Sequence, residues 1–322
     1  MVNENKQRLL KIYKLLMDRT DENHTLSTVQ LIKLLEDEYG MQTHRVTIAK
    51  DIKILQDSGI DIGVIESTQN KYYIAGRQFE TPEVKMLIDA VASSKVITAK
   101  KSKELIKKLS LLTSPMKARE LKRNIAPDDR IKAKNENILY VVDAINDAIN
   151  ERRKVSFKYF CYDANKKKRI KNDGNPYVFS PYELIWNGDY YYAVGWSEKH
   201  DGIGAFRVDR ISSVPVLLED KIVPVPERFN AAEYIKINYH MFGGGEAQIV
   251  ELLCDNSVMD AIIDRFGIDV ETIPSEDGKF KATVLVAVNN VFFGWIFGFD
   301  GAVRITRPDD VLEQYQDMVK RA

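Results

Sequence analysis

SPYELIWNGDYYYAVGWSEKHDGIGAFRVDRI, residues 180–211, is the stretch whose pattern decides the fold. Two runs of alternating aromatic and apolar residues flank Asn187-Gly188, a dipeptide that readily takes the positive φ of a tight hairpin turn. A further run ends in Phe206-Arg207-Val208-Asp209-Arg210-Ile211, which places Arg207 and Arg210 at one strand end. Aromatic faces and fixed positive charge held together suit an anionic, ring-bearing ligand.

Working outward, KVSFKYFCY (154–162) alternates and has strand composition, DANKKKRIKNDGN (163–175) reads as a polar turn region, and AFRVDRISSVPVLL (205–218) reads as one more strand. An amphipathic helix, ILYVVDAINDAIN (138–150), precedes them. Short strands joined by tight turns and introduced by one helix predict a small, strongly bent barrel.

The first 76 residues have a different rhythm. Apolar residues at 9, 10, 12, 13, 15 and 16 predict a helix buried over a broad face. Ser27-Thr28-Val29-Gln30 is a capping-box pattern opening a second helix that Gly40 can stop. A third helix starts near Thr43 or His44, either able to cap it, and runs to Gly59. Ile48, Ile52 and Leu55 fall on one side of it; Val46, Ala49, Lys50 and Lys53 lie on the other, with Thr47 beside them. IDIGVIE and KYYIAG then alternate around STQN as a small hairpin. This order predicts a winged helix-turn-helix whose third helix enters the major groove of DNA, or else a protein-interaction domain of the same shape. In the DNA reading the contacts are His44, Arg45, Val46, Thr47, Ala49, Lys50 and Lys53 on the helix, and Asn70 and Lys71 on the wing. Val46 and Ala49 would meet thymine methyls, Thr47 a base edge or phosphate, and the cations phosphate or guanine.

P-x-x-L at Pro181–Leu184, N-G-x-aromatic-Tyr at Asn187–Tyr191 and F-R-V-D-R-I at Phe206–Ile211 resemble the WYL domain of bacterial transcriptional regulators. HRVTIAKDIKIL (44–55) is similar to the S-R-R-T-I-x-R-D-L helix of those proteins, keeping Thr47, Ile48 and Asp51. The resemblance implies an α+β multidomain chain: a winged helix-turn-helix over 1–76, a basic helical linker over 77–136, a small Sm/SH3-like β-barrel over 137–226 and a C-terminal extension over 227–322. After Asn238, the order strand, helix, two strands, helix and strand resembles the family's ferredoxin-like βαββαβ extension, expected to be the dimerisation element. The family's barrel senses a ligand, with nucleotides and nucleic acid among the proposed classes. By position, Tyr191, Arg207 and Arg210 become the ligand candidates, with Tyr159, Ser180 and His200 as additions. Two departures stand out: the Trp-Tyr-Leu triplet is Tyr190-Tyr191-Tyr192, and position 204, often arginine in the family, is glycine.

Composition bounds the rest. The 322 residues are 44% apolar and 29% charged, as in ordinary globular proteins, and exceed one usual core. Net charge is −1 over 1–76, +7 over 77–136, +1 over 137–226 and −7 over 227–322, so the lysine-rich helices of the second segment are either a solvated connector or a flank for DNA phosphates. Cys161 and Cys254 have no metal or disulfide spacing and read as small core residues. His24, His44, His200 and His240 form no i, i+4 pair, and Gly243-Gly244-Gly245 lacks the lysine of a phosphate loop, reading as a boundary. VFFGWIFGF (291–299) serves as core or as a dimer contact, and is half the length of a bilayer span.

These observations predict a cytoplasmic, homodimeric transcriptional regulator without catalytic, metal or cofactor site. It would bind double-stranded operator DNA, tuned by a nucleotide or single-stranded nucleic acid. The alternatives are a single-strand sensor without a defined operator and a nucleotide-acting enzyme, for which no catalytic constellation occurs.

Overall fold

In the computed structural model, residues 2–123, 132, 135–227, 229–238 and 247–321 are described. The chain is a mixed helix-and-sheet protein with several separate sheets, divided into two compact units, 1–134 and 135–322. His240 and Gly243–Gly245 lie outside the described residues.

The first unit begins with α1 (Val2–Arg19), β1 (Leu26–Ser27), α2 (Thr28–Tyr39) and α3 (Arg45–Asp57), followed by β2 (Ile62–Ile65) and β3 (Lys71–Ile74). Ser27 and Gln30 satisfy each other's backbone amides at the start of α2, and Gly40, at φ 63°, ends it. At α3 neither expected cap forms. His44 is the N-cap residue without a side-chain hydrogen bond, and the Thr43 hydroxyl is buried without a partner among the described residues. Strands β2 and β3 pair antiparallel from Ile62↔Ile74 to Ile65↔Lys71, and β1 joins the other edge of β3. Ile12, Leu15 and Leu16 of α1 meet Leu31 and Leu35 of α2 and Ile48, Ile52 and Leu55 of α3 in one core. Leu10, expected on the buried face of α1, is 66% exposed, so that face is narrower than the sequence suggests.

Asp51 fixes the roll of α3. Its carboxylate, buried, accepts from Arg8 Nε of α1 at 2.6 Å and from the second guanidinium arm at 3.3 Å. Breaking such a pair strands the other charge in a poorly hydrated place. Asp51→Ala is therefore expected to destabilise this unit by about 2–4 kcal/mol in urea unfolding, the lower end reflecting the residual solvent access of Arg8.

Three further helices lie among the described residues of this unit: α4 (Thr81–Ser93), α5 (Ala99–Leu109) and α6 (Pro115–Arg123). The two lysine-rich segments form α5 and α6; α4 was not legible beforehand. Val84 and Ile88 of α4 pack with Leu121 of α6 and with Ile106 and Leu109 of α5. A polar tie links this layer to the end of α1. The Asp21 carboxylate, 2% exposed, accepts from Ser114 Oγ just before α6, from His24 Nδ1 at 2.8 Å and from the backbone N–H groups of Asn23 and His24.

The second unit opens with α7 (Ile138–Glu151), β4 (Arg153–Phe157), β5 (Phe160–Tyr162), β6 (Lys168–Ile170), β7 (Tyr177–Asn187), β8 (Tyr190–Ser197), β9 (Gly202–Arg207) and β10 (Val216–Lys221). Five strands form an antiparallel sheet in the order β10-β4-β7-β8-β9. The expected tight turn forms one residue later than the sequence suggests: Asn187 is the last residue of β7, paired with Tyr190, and the turn is made by Gly188, at φ 57°, and Asp189. A bulge between Pro181 and Glu183 bends β7, and Gly195 lies opposite because any side chain there would run into the Ser180 carbonyl. Phe157, Tyr159, Tyr177, Phe179 and Phe206 pack largely edge to face inside the bend.

Two local expectations change here. The polar region 163–175 contains β6, paired with β5 as a separate two-stranded ribbon. AFRVDRISSVPVLL is not one strand: β9 ends at Arg207, Val208–Arg210 form a single 3-10 turn, and β10 begins at Val216.

Helix α8 (Ala231–Ile237) lays Tyr234 and Ile235 against Ile185, Tyr192 and Val194. There follow β11 (Ala247–Asp255), α9 (Met259–Phe266), β12 (Glu271–Ser275), β13 (Lys279–Ala287), α10 (Asn290–Phe297), β14 (Val303–Arg307) and α11 (Asp309–Arg321). The strands make an antiparallel sheet in the order β12-β13-β11-β14. Phe292, Phe293 and Ile296 of α10 enter its core with Val250, Leu252 and Phe280, while Phe297 stays 60% exposed. Cys254 is fully buried there, and burial pushes its thiol up to about 12. Cys161, on the β5–β6 ribbon, is only half-buried and is not a core residue.

Candidate functional site

Two places concentrate the chemistry. On α3 the core claims Ile48, Ile52 and Leu55, which with the Arg8–Asp51 pair leaves the opposite face outward. His44, Arg45, Ala49, Lys50 and Lys53 are exposed there, Val46 is 68% exposed, and Thr47 is half-buried. Lys53 spends part of its charge on Asp57 at 3.0 Å. Asn70 works chiefly through its backbone: its carbonyl accepts from the Thr28 N–H and hydroxyl, pinning the β2–β3 hairpin to the start of α2. Lys71 is exposed on β3, opposite Ile65.

The second place is the end of β9. Arg207 grips Asp209 through two bonds, Nε to Oδ1 at 3.1 Å and a terminal nitrogen to Oδ2 at 2.8 Å. Its guanidinium also lies 3.3 Å above the centre of the Tyr190 ring. Burial works against its charge, but Asp209 and Tyr190 outweigh that and raise the guanidinium further above its ordinary value. Arg210, three residues on, is half-buried and makes no hydrogen bond or ion pair among the described residues. Tyr159 stands beside both: its hydroxyl accepts the Arg207 backbone N–H at 3.2 Å, and burial raises its pKa although Arg210 and Arg207 pull the other way.

Tyr191 and Ser180 lie elsewhere. Tyr192 is directly opposite Arg207, so Tyr190 and Tyr192 share its face and Tyr191 points to the other. There Tyr191 packs on Trp186, ring centres 5.4 Å apart, and lines a groove of about 680 Å³ along α7. Asp143 and Glu183 line that groove without any lysine or arginine, so its chemistry does not favour an anion. Ser180 is fully buried and its hydroxyl accepts the Val223 N–H at 3.0 Å, tying the bulged strand to the segment after β10. His200 sits in the turn between β8 and β9, its ring 6.0 Å from that of Tyr177, which in turn lies 6.3 Å from the Tyr159 ring.

Tyr190 is the residue that sequence reasoning missed, and Asp209, which the sequence offers as a partner for Arg210, pairs with Arg207 instead. Period-two alternation in YYY pairs Tyr190 with Tyr192, but which pair meets Arg207 depends on the register of β9. Gly204, where the resemblance places an arginine, has open space in the direction of a side chain. Among the described residues no three of His, Cys, Asp and Glu come together to hold a metal ion, and no helix is long and apolar enough to cross a membrane.

Residues 140–216 match the WYL domain and residues 246–322 match the WCX domain. No curated protein matches the chain. Among solved structures the chain is similar to proteasome accessory factor B/C (PafBC) of Arthrobacter aurescens, 18% identical with a TM-score of 0.32, over 96% of this chain and 47% of that one. A CRISPR Cas-related protein is 14% identical with a TM-score of 0.38, over 89% of this chain and 74% of that one. The chain thus spans about half the length of the first of these structures.

Proposed function

We propose that this chain is a DNA-binding transcriptional regulator in which residues 1–76 form a winged helix-turn-helix and the WYL domain senses an anionic ligand. The observation that carries the DNA reading is the division of α3: one face is the core of its unit, and the other presents small apolar groups between cations. That composition suits a major groove, where thymine methyls and guanine acceptors lie side by side. The N-terminus of α3 has no side-chain cap, which leaves amides for a phosphate. With net charge −1 over 1–76, the basic layer α4–α6 supplies much of the attraction to DNA. The WCX unit, with its βαββαβ order and ferredoxin-like strand order, is the proposed dimerisation element, and two copies would read a two-fold operator.

In the WYL domain the proposed ligand site is centred on Arg210, with Arg207, Tyr190 and Tyr159 around it. Arg207 is already engaged by Asp209, whereas Arg210 is poised to take a phosphate. A ligand oxyanion competing with Asp209 for Arg207 would shift the 3-10 turn that carries both Asp209 and Arg210, a local change suited to signalling.

The two arginines are expected to separate experimentally. Arg210→Ala should lower affinity for thymidine 5′-diphosphate at least tenfold, the scale of one lost bond to a charged group, about 1.5–3 kcal/mol, while leaving thermal stability in place. Arg207→Ala should also lower stability, by about 1–2 kcal/mol, because its ion pair and ring contact are partly shielded from water. Unchanged diphosphate binding in both variants would make these arginines structural.

A further inference from the structure

The groove of about 680 Å³ along α7 lies on the opposite face of β8 from Arg207, as the alternation of Tyr191 and Tyr192 requires. Leu139 and Tyr140 of α7, Leu184 of β7 and Tyr191 of β8 give it apolar and aromatic walls, and Asp143 and Glu183 stand among them. Tyr140 is 65% exposed, and Trp186, whose ring packs on Tyr191, is 50% exposed. Rings of this size left open to water around a groove mark a contact surface, since Trp and Tyr carry much of the energy of protein interfaces.

The charge of the groove is of one sign. Among the described residues no lysine or arginine lines it, and the carboxylates of Asp143 and Glu183 make no hydrogen bond or ion pair there. Asp147, one turn further along α7, is exposed and equally unengaged among the described residues. Other carboxylates of this unit do find cations, as Glu151 does with Arg153 and Glu198 with Lys154. Glu183 stands at the bulge of β7, exposed directly after four buried residues. A cationic occupant would meet this charge without displacing an existing partner.

We propose that this groove docks a basic amphipathic helix of another protein, its apolar residues against the groove's rings and its lysines or arginines beside Asp143 and Glu183. The groove extends along α7 from Leu139 to Ile149, about 15 Å at the rise of a helix, which is room for roughly three turns. A strand could not add there, because β7 has β4 on one side and β8 on the other and offers no free edge. Binding then falls to side chains, as when a helix is laid in a groove. The lysine-rich helices of this chain are not the occupant: Ile106 and Leu109 of α5 and Leu121 of α6, the apolar residues such a helix would insert, are packed in the core of the first unit. Opposed charge selects the partner, and the faces of Tyr140 and Tyr191 add attraction for a guanidinium or ammonium group.

The test exposes the full chain to a displayed pool of randomised helical peptides about three turns long. Enriched peptides should carry apolar residues at i, i+3 or i+4, and i+7, with lysine or arginine beside them. A synthetic copy of the most enriched peptide should bind Asp143→Lys roughly tenfold more weakly than the wild type, since attraction becomes repulsion, and Tyr140→Ala about three- to tenfold more weakly. Both side chains are exposed, so the melting temperature should hold in each variant. Enrichment of acidic peptides, or of none, would overturn the proposal, as would enriched peptides that bind Asp143→Lys as tightly as the wild type. Spermidine binding that Asp143→Lys removes, with no peptide enriched, would overturn the helix in favour of a small organic cation. A dimer that dissociates in Asp143→Lys by light scattering would overturn it in favour of a contact between copies of this chain.

Discussion

Asp21→Ala should cost the first unit about 3 kcal/mol, a loss set by bonds to a charged acceptor that water cannot reach in its place. The carboxylate is 2% exposed and collects donors from Ser114, His24 and two backbone amides. Burial opposes its ionisation, but the bonds from Ser114, His24 and Asn23 outweigh burial and hold its pKa below the ordinary 3.8. A carboxyl whose folded pKa is depressed adds stability above its unfolded pKa and loses it as pH falls through the folded value. The wild type should therefore exceed Asp21→Asn by a constant margin from pH 7 to about pH 5, and the margin should shrink below about pH 4. Urea unfolding at pH 7 and pH 3 reads this directly, and equal stability at pH 7 would show that the carboxylate is not the tie. Ser114→Ala, which removes one donor and leaves the others, should cost about 1 kcal/mol.

Arg45→Ala/Lys50→Ala should weaken binding to a preferred DNA duplex roughly 30- to 1,000-fold, taking about 1–2 kcal/mol for each contact. Both residues are exposed and neither belongs to the core, so the fold should survive unchanged by circular dichroism. Where the lost contacts are to phosphate, the salt slope should become shallower by about 0.9 for each. Duplex affinity within twofold of wild type would remove α3 from the reading role. Val46 and Ala49 give the complementary result: enlarging either with a carboxylate, as in Ala49→Glu, should repel the same groove without touching Ile48, Ile52 or Leu55.

The elements that were legible in the sequence are those written in local chemistry. Ser27 and Gln30 cap α2, Gly40 stops it, and a turn at Gly188 joins β7 to β8, because each needs only its immediate neighbours. Helix α4 was missed because Val84 and Ile88 acquire their meaning from Leu121, more than thirty positions away. Helix α8 has seven residues, too few for a periodic signal. At the proposed anion site, the two arginines were visible as a charge pattern, whereas Tyr190, the ring beneath Arg207, was not. The choice between Tyr190 and Tyr191 is a matter of cross-strand register, and one step moves a side chain to the other face. Ser180 carried a family position but serves a backbone amide inside the bulge. Asp21 left no trace at all, since its partner Ser114 lies 93 residues further on.

The same distinction explains the ribbon. DANKKKRIKNDGN has the composition of a solvated turn, and only the pairing of β5 with β6 makes part of it a strand. Charge in a sequence becomes a surface when the fold decides what stands next to it.

Selection of bound duplexes from a randomised pool by the full chain bears most directly on sequence-specific DNA binding through α3. Enrichment of one sequence with two-fold symmetry, abolished by Arg45→Ala/Lys50→Ala, is the expected result. A pool that stays random while the protein still retains a thymidine 12-mer would contradict it, and would make the chain a single-strand binder without an operator.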